Sequence, residues 1–287
     1  LSSAVWQIML GGTLGLGLGP VPQFGMRGVA AGSLIAYSIS ISVMGWYLFS
    51  GRARVKPKLR GLRVQWAMFI DILRVGAVSC FSPLQSVLTI SIFTHMLAQF
   101  GTAVLAGYGI GARLEFMLTS VAFAVGIASV PMIGMAVGAE RIARARRIAW
   151  TAGTVSFLSV GVVGSFIAVF PDLWVNLFTS DPHVRATSHQ YLSTAAPMYA
   201  FIGLAMSMYF SSQGAAKVLG PVLAQTARLI FIGTGGWWLS THEASAQNFF
   251  ALAAASMGVL GVLSCLSVIL TRWGKSAQVA EAQPALS

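Results

Sequence analysis

Glu115 and Arg113 are the residues whose type and position most invite chemistry. Both lie inside the apolar stretch 104–137, roughly ten residues in from its start, a depth on the order of 15 Å along a helix. Ionisable groups at such depth in an apolar segment are costly and mark functional sites by default. Two residues apart, they point to different sides of a helix and make no good intrahelical pair. Each therefore needs a partner on another element. Glu115 is the candidate proton carrier, with Arg113 as its companion in ion coupling. Arg228, deep in 219–240 without a local acid, bonds carbonyls or reaches Glu115. Asp71 and Arg74, three apart, read as an interfacial pair, and His95 and His189 as satisfied edge residues. The stretch 190–211 carries Met198, Tyr199 and Met206 among further Met and aromatic residues. Such side chains give an adaptable apolar lining, with tyrosine hydroxyls to steer a ligand. Pro83, Pro131 and Pro197 fall inside apolar stretches, where a proline removes a backbone hydrogen bond and bends the helix. They are read either as working bends or as passive kinks that shape the bundle. No Ser/His/Asp set, carboxylate pair or metal-ligand cluster accompanies these residues, so neither an enzyme nor a cofactor is expected.

The elements that must position them are transmembrane helices. Apolar runs fall at 4–18, 27–49, 67–98, 104–137, 151–170, 190–211, 219–240 and 248–270. About 20 apolar residues span a bilayer. Hydrophobic residues make up 56% of the 287, charged residues 9%, and mean hydropathy is +0.77. The fold class is an all-α membrane protein, a polytopic bundle with eight spans present.

Net charge is +11, which raises the question of nucleic acid. The distribution answers it. Arg52, Arg54, Lys56, Lys58, Arg60 and Arg63 fill one break, Arg141, Arg144, Arg146 and Arg147 another, Lys217 a third, and Arg272 with Lys275 the last. The intervening breaks hold Arg185 beside Asp172, Asp181 and Glu243. Basic residues on alternate breaks are retained in the cytoplasm, which orients the chain in the cell inner membrane. A nucleic-acid groove needs its cations on one face. The expected partners are the bilayer, a small amphiphilic substrate and H⁺, with the protein a monomer.

Residues 51–65 form the longest basic break, interrupted by Pro57 and Gly61. They read as a cytoplasmic linker between 1–50, the last two helices of one lobe, and 66–271, a six-helix lobe. Residues 272–287 read as a disordered cytoplasmic tail. Leu1 is not an initiator methionine and the first span is short, so spans missing before it are expected. Four would complete two six-helix lobes in parallel orientation. Cys80 and Cys265 are read as small buried hydrophobes. Gly28-xxx-Gly32, Gly107-xxx-Gly111 and Gly134-xxx-Gly138 are packing motifs, expected to act within the bundle rather than between copies. The glycines at 15, 17 and 19 form a membrane-edge turn, lacking the strand and lysine of a phosphate loop.

Segments of the chain resemble a known family. Residues 105–115 (LAGYGIGARLE), 123–139 (FAVGIASVPMIGMAVGA) and the basic run 141–147 resemble the eighth helix and following loop of multidrug and toxic compound extrusion transporters. Residues 25–36 (GMRGVAAGSLIA) are similar to the entry into that family's sixth helix. Phe178-Thr179-Ser180-Asp181 and 211–217 (SSQGAAK) are similar to the loop before and the end of its tenth. The resemblance implies helices five to twelve of a twelve-helix fold, and export of cationic or amphiphilic compounds against inward H⁺ or Na⁺. It also implies acids in the seventh and tenth helices of members that couple through this lobe. The matching places read Pro83-Leu84-Gln85-Ser86 and Phe201-Ile202-Gly203, without a carboxylate. That leaves Glu115, or an acid in the other lobe, as proton carrier, and Gln85 as a polar lining residue. Two rival readings are a flippase for lipid-linked sugars, which would need a more cationic cavity, and a non-transporting membrane protein.

Overall fold

The computed structural model describes residues 2–17, 22, 25–50 and 66–274. The linker 51–65 and residues 275–287 of the tail lie outside the described residues, as does Gly19. Nothing is assigned to the side chains of Asp71 and Arg74. Among the described residues every regular element is helical. The chain divides into two compact units, 1–66 and 67–287.

The first unit is a hairpin of α1 (Ser2–Leu16) and α2 (Gly25–Phe49). Gly28 and Gly32 are buried on α2, and a Cβ on Gly32 would strike the backbone of Gly11. The small-residue motif thus lets two backbones touch, which in lipid replaces the missing hydrophobic drive.

The second unit holds α3 (Trp66–Ala98), α4 (Thr102–Gly138), α5 (Ile142–Val169), the short α6 (Asp172–Val175), α7 (Pro182–Ala195), α8 (Tyr199–Gly214), α9 (Leu219–Thr241) and α10 (Ala246–Leu270). Among the described residues five helical segments, Gly25–Phe49, Gly76–Ala98, Thr102–Gly138, Ile142–Val169 and Ala246–Leu270, are long and apolar enough to cross a membrane.

Several helix ends have local causes. Asp181 accepts from the His183 amide at 2.9 Å with Pro182 in the first turn, which starts α7. Helices α4, α8 and α9 stop on left-handed residues that are not glycine: Glu140, Ala216 and Glu243. At each, the next amide reaches back five residues, as in Arg141 N to Ala136 O at 2.9 Å and Lys217 N to Ser212 O at 2.8 Å. Arg146 donates to the carbonyl of Thr271 at 3.0 Å, satisfying the end of α10.

The stretch 190–211 differs from a single span. A short 3₁₀ turn, Ala196–Met198, separates α7 from α8, and Pro197 sits in it. The helix therefore breaks at Pro197 rather than bending around it. Gly164 of α5 packs so closely there that a Cβ would meet the carbonyl of Ala196. The α5–α8 seam continues with Gly161 against Ala200, Gly203 against Ser156, and a 2.6 Å hydrogen bond between the hydroxyls of Ser156 and Ser207. Gly107 and Gly111 face Thr187, Ser188 and Tyr191 of α7, so this motif packs inside the unit.

At the end of the unit away from Arg141 and Lys217, rings interlock. Phe93 meets Tyr108, Tyr108 meets Tyr191 and Tyr191 meets Phe250, with centroids 5.2, 5.2 and 5.3 Å apart. Tyr191, Leu97, Phe249 and Phe250 are fully buried there. Edge contacts of this kind add to what ring burial alone contributes.

Candidate functional site

Below the ring cluster, α3, α4, α8, α9 and α10 separate around a cavity of about 320 Å³, within the size range of ligand pockets. Its wall is mostly apolar: Ile90, Phe116, Phe123, Ile202, Ala205, Met206, Phe210 and Leu260. Polar groups enter at separate points, namely Ser82 and Ser86 from α3, Glu115 and Thr119 from α4, Tyr209 from α8, Gln225 and Arg228 from α9, and Ser264 from α10.

Pro83 explains part of this shape. It removes the amide that would bond the carbonyl of Ser79 one turn back. The Tyr209 hydroxyl donates to that carbonyl at 3.3 Å, and Gln213 Nε2 donates to the Tyr209 oxygen at 3.0 Å. The bend is therefore satisfied by α8 across the cavity, as a broken helix in a membrane requires.

Two crossbars tie α3 to α9. Gln85 Nε2 donates to Thr226 Oγ1 and Gln225 Nε2 to Ser86 Oγ, each at 2.6 Å. The amide oxygens of both glutamines are buried without a hydrogen-bond partner among the described residues. Gln225 Oε1 is thus an acceptor left over beside the cavity, and unmade hydrogen bonds at buried groups are uncommon.

Glu115 and Arg228 both reach the cavity, and no ion pair within 4.0 Å joins them. Arg228 Nε donates to Ser256 Oγ at 3.4 Å, which aims the guanidinium from α9 toward α10. A second void of about 20 Å³ borders Thr89, Tyr108, Glu115, Tyr191 and Arg228 beneath the rings. That is room for roughly one water.

The residues singled out from sequence separate into two groups. Glu115, Arg228, Met206 and Pro83 line the cavity. The others do not. Arg113 is exposed on the opposite side of α4, its guanidinium 5.1 Å from the Phe178 ring; the two-residue offset from Glu115 turns it away. Tyr199 is 1% exposed and donates to the carbonyl of Gly111 at 3.1 Å, as a packing residue between α8 and α4. Met198 lies in the 3₁₀ turn, packed on the ring cluster. Gln85 turns its amide to Thr226 beside the wall. Pro131 lies exposed in α4, away from the cavity. Cys80 is exposed and Cys265 partly so, so neither is the buried hydrophobe expected. The sequence did not single out Ser86, Gln225 or Ser264, while Tyr209 is among the Met and aromatic residues of 190–211 that read as lining. One signal was present: the neighbours Gln85-Ser86 and Gln225-Thr226 are complementary polar pairs in two apolar helices.

The non-basic end carries a surface cluster. Asp172 accepts from Arg185 Nη2 at 2.8 Å, and His189 Nε2 stands 3.1 Å from the same oxygen. The hydrogen bond from Arg185 holds the Asp172 carboxyl below its usual range. Among the described residues no group of three or more His, Cys, Asp and Glu could hold a metal ion.

The family model described as MatE matches residues 79–238, more than half of the chain, and the chain belongs to this family of multidrug and toxic compound extrusion proteins. A "Probable multidrug resistance protein NorM" of Thermotoga maritima is 22% identical, covering 70% of this chain and 43% of the relative. The "FAD transporter" of Shewanella oneidensis is 22% identical over 80% of this chain and 51% of its own length. The chain spans about half the length of these curated relatives. Among solved structures, the Vibrio cholerae MATE transporter VcmN in the bent form superposes with a TM-score of 0.79 at 20% identity, covering 93% of this chain and 59% of VcmN. The MATE transporter ClbM in complex with Rb⁺ gives 0.76 at 18%, covering 98% and 60%. These two likenesses establish the shared fold.

Proposed function

We propose that this chain acts in a secondary transporter that exports amphiphilic small molecules across the inner membrane, coupled to H⁺ by alternating access. In this reading its eight spans correspond to helices five to twelve of a twelve-helix fold. The supporting observation is a mostly apolar cavity of about 320 Å³ with one carboxylate, Glu115, on its wall. An apolar chamber holds the body of an amphiphile, and a few placed polar groups orient it. Met206 adapts to varied shapes, while Gln225 and Tyr209 offer hydrogen bonds. Glu115 is the proton carrier, and Arg113 has no part in coupling. Pro83 is the working bend, because its freed carbonyl is held by a cavity residue that a ligand would displace. Relatives named for multidrug resistance and for FAD both match this chain, which agrees with a broad amphiphilic range. Inward movement of one proton at 100 mV supplies about 2.3 kcal/mol.

The test uses the full-length protein in proteoliposomes with a fluorescent amphiphile and an imposed pH gradient. Glu115→Gln abolishes gradient-driven movement while exchange of labelled for unlabelled amphiphile persists. Unchanged gradient-driven movement in that variant would refute the assignment.

A further inference from the structure

Two charges from the described residues face the cavity, and their sum restricts the ligand. Among the described residues that line it, Glu115 from α4 and Arg228 from α9 are the charged groups, and Tyr209 from α8 is the other titratable one. From α3 and α10 come serines, which stay neutral. With Glu115 ionised the sum is zero. With Glu115 protonated, Arg228 remains as an uncompensated positive charge, because a guanidinium keeps its proton. Among the described lining residues neither state is net negative. A lone ammonium entering it meets a neutral pair or a like charge, and in a low-dielectric space that selects against it.

The guanidinium is also free to bind. Its Nε donates to Ser256, while its terminal amino groups make no hydrogen bond or ion pair with any described residue. That free edge matches the two oxygens of a carboxylate, sulfonate or phosphate. Phe123, Phe210 and Met206 stand across the same space to take an apolar ring.

We infer that this cavity takes amphiphiles bearing an anionic group, with the anion at Arg228 and the apolar body against Phe123, Phe210 and Met206. The inference rests on the reading that the cavity holds the transported molecule, and it replaces the cationic substrate class that the sequence suggested.

The experiment compares three probes with one fluorophore: anionic dansylglycine, neutral dansylamide and cationic dansylcadaverine. Each is titrated into the full-length protein in detergent at pH 6 and pH 8. Dansylglycine binds at least about fivefold tighter than dansylcadaverine, the lower end of ordinary coupling between charged sites. Arg228→Gln removes that preference, Arg228→Lys keeps part of it, and Glu115→Gln retains or increases it at pH 8. If dansylcadaverine binds tightest and Glu115→Gln weakens it, the inference is overturned while the cavity stands as a transport site. Equal affinities that Thr119→Trp abolishes also overturn the charge preference alone. Affinities that neither charge nor Thr119→Trp alters would show that the cavity takes no ligand, and both readings fail.

Discussion

Glu115 on α4 and Arg228 on α9 face one cavity without pairing, so each charge is held by its own helix and left available to something else. Two half-buried opposite charges that form no ion pair carry a desolvation penalty that their attraction across the cavity offsets only in part. Arg228→Met is therefore expected to leave thermal stability in detergent nearly unchanged or slightly raised, while ligand binding falls. A drop of several degrees in Tm would mean that the arginine is structural.

The crossbars between α3 and α9 should be weakly coupled in energy. A double-mutant cycle on Ser86→Ala and Gln225→Ala is expected to give about 0.6 kcal/mol, the average for hydrogen bonds between membrane helices. Equilibrium unfolding in mixed micelles measures it. A coupling near zero would contradict the 2.6 Å contact.

Tyr199→Phe separates packing from lining. It removes the hydrogen bond to Gly111 and should cost about 1 kcal/mol of stability while leaving probe affinity within error. Loss of affinity at full stability would return Tyr199 to the ligand site.

Ala216 ends α8 in the left-handed region at φ 56°, where a side chain costs about 1 kcal/mol or more. Ala216→Gly is expected to raise stability by about that amount, read from the unfolding midpoint. A decrease would show that the methyl group packs more usefully than the turn strains.

Asp172 gives a pH dependence outside the membrane spans. Its folded carboxyl titrates below its unfolded range because of the Arg185 hydrogen bond. Its contribution is thus present above the unfolded value and lost as pH falls through the lower, folded one. Asp172→Asn should flatten the acid limb of the Tm profile and change little at neutral pH, since an exposed pair contributes little. An unchanged acid limb would exclude this carboxyl as its source.

The helical membrane class was legible in the sequence because apolar runs of bilayer length have no soluble alternative, and the 105–115 and 211–217 segments carried the family. Glu115 was legible because a carboxylate in such a run is rare. The cavity wall was not. Which side of a helix faces a chamber depends on neighbours, and in lipid both sides are apolar, so periodicity carries little signal. Tyr199 and Met198 looked like lining for that reason, and their side chains pack between helices away from the cavity. The break at Pro197 was missed in kind: the polar α7 lies before the 3₁₀ turn, whereas the apolar pattern ran across it. Helix ends at Glu140, Ala216 and Glu243 lacked the glycine that usually announces them.

The central claim is that the chamber among α3, α4, α8, α9 and α10 is where the transported molecule sits. Its most direct measurement is thiol protection in the full-length protein with Cys80→Ser and Cys265→Ser, carrying Thr119→Cys on the cavity wall. The rate of maleimide labelling of the introduced thiol should fall several-fold when dansylamide is added at saturation. Labelling that stays constant while the same probe is demonstrably bound would place the ligand elsewhere and contradict the account.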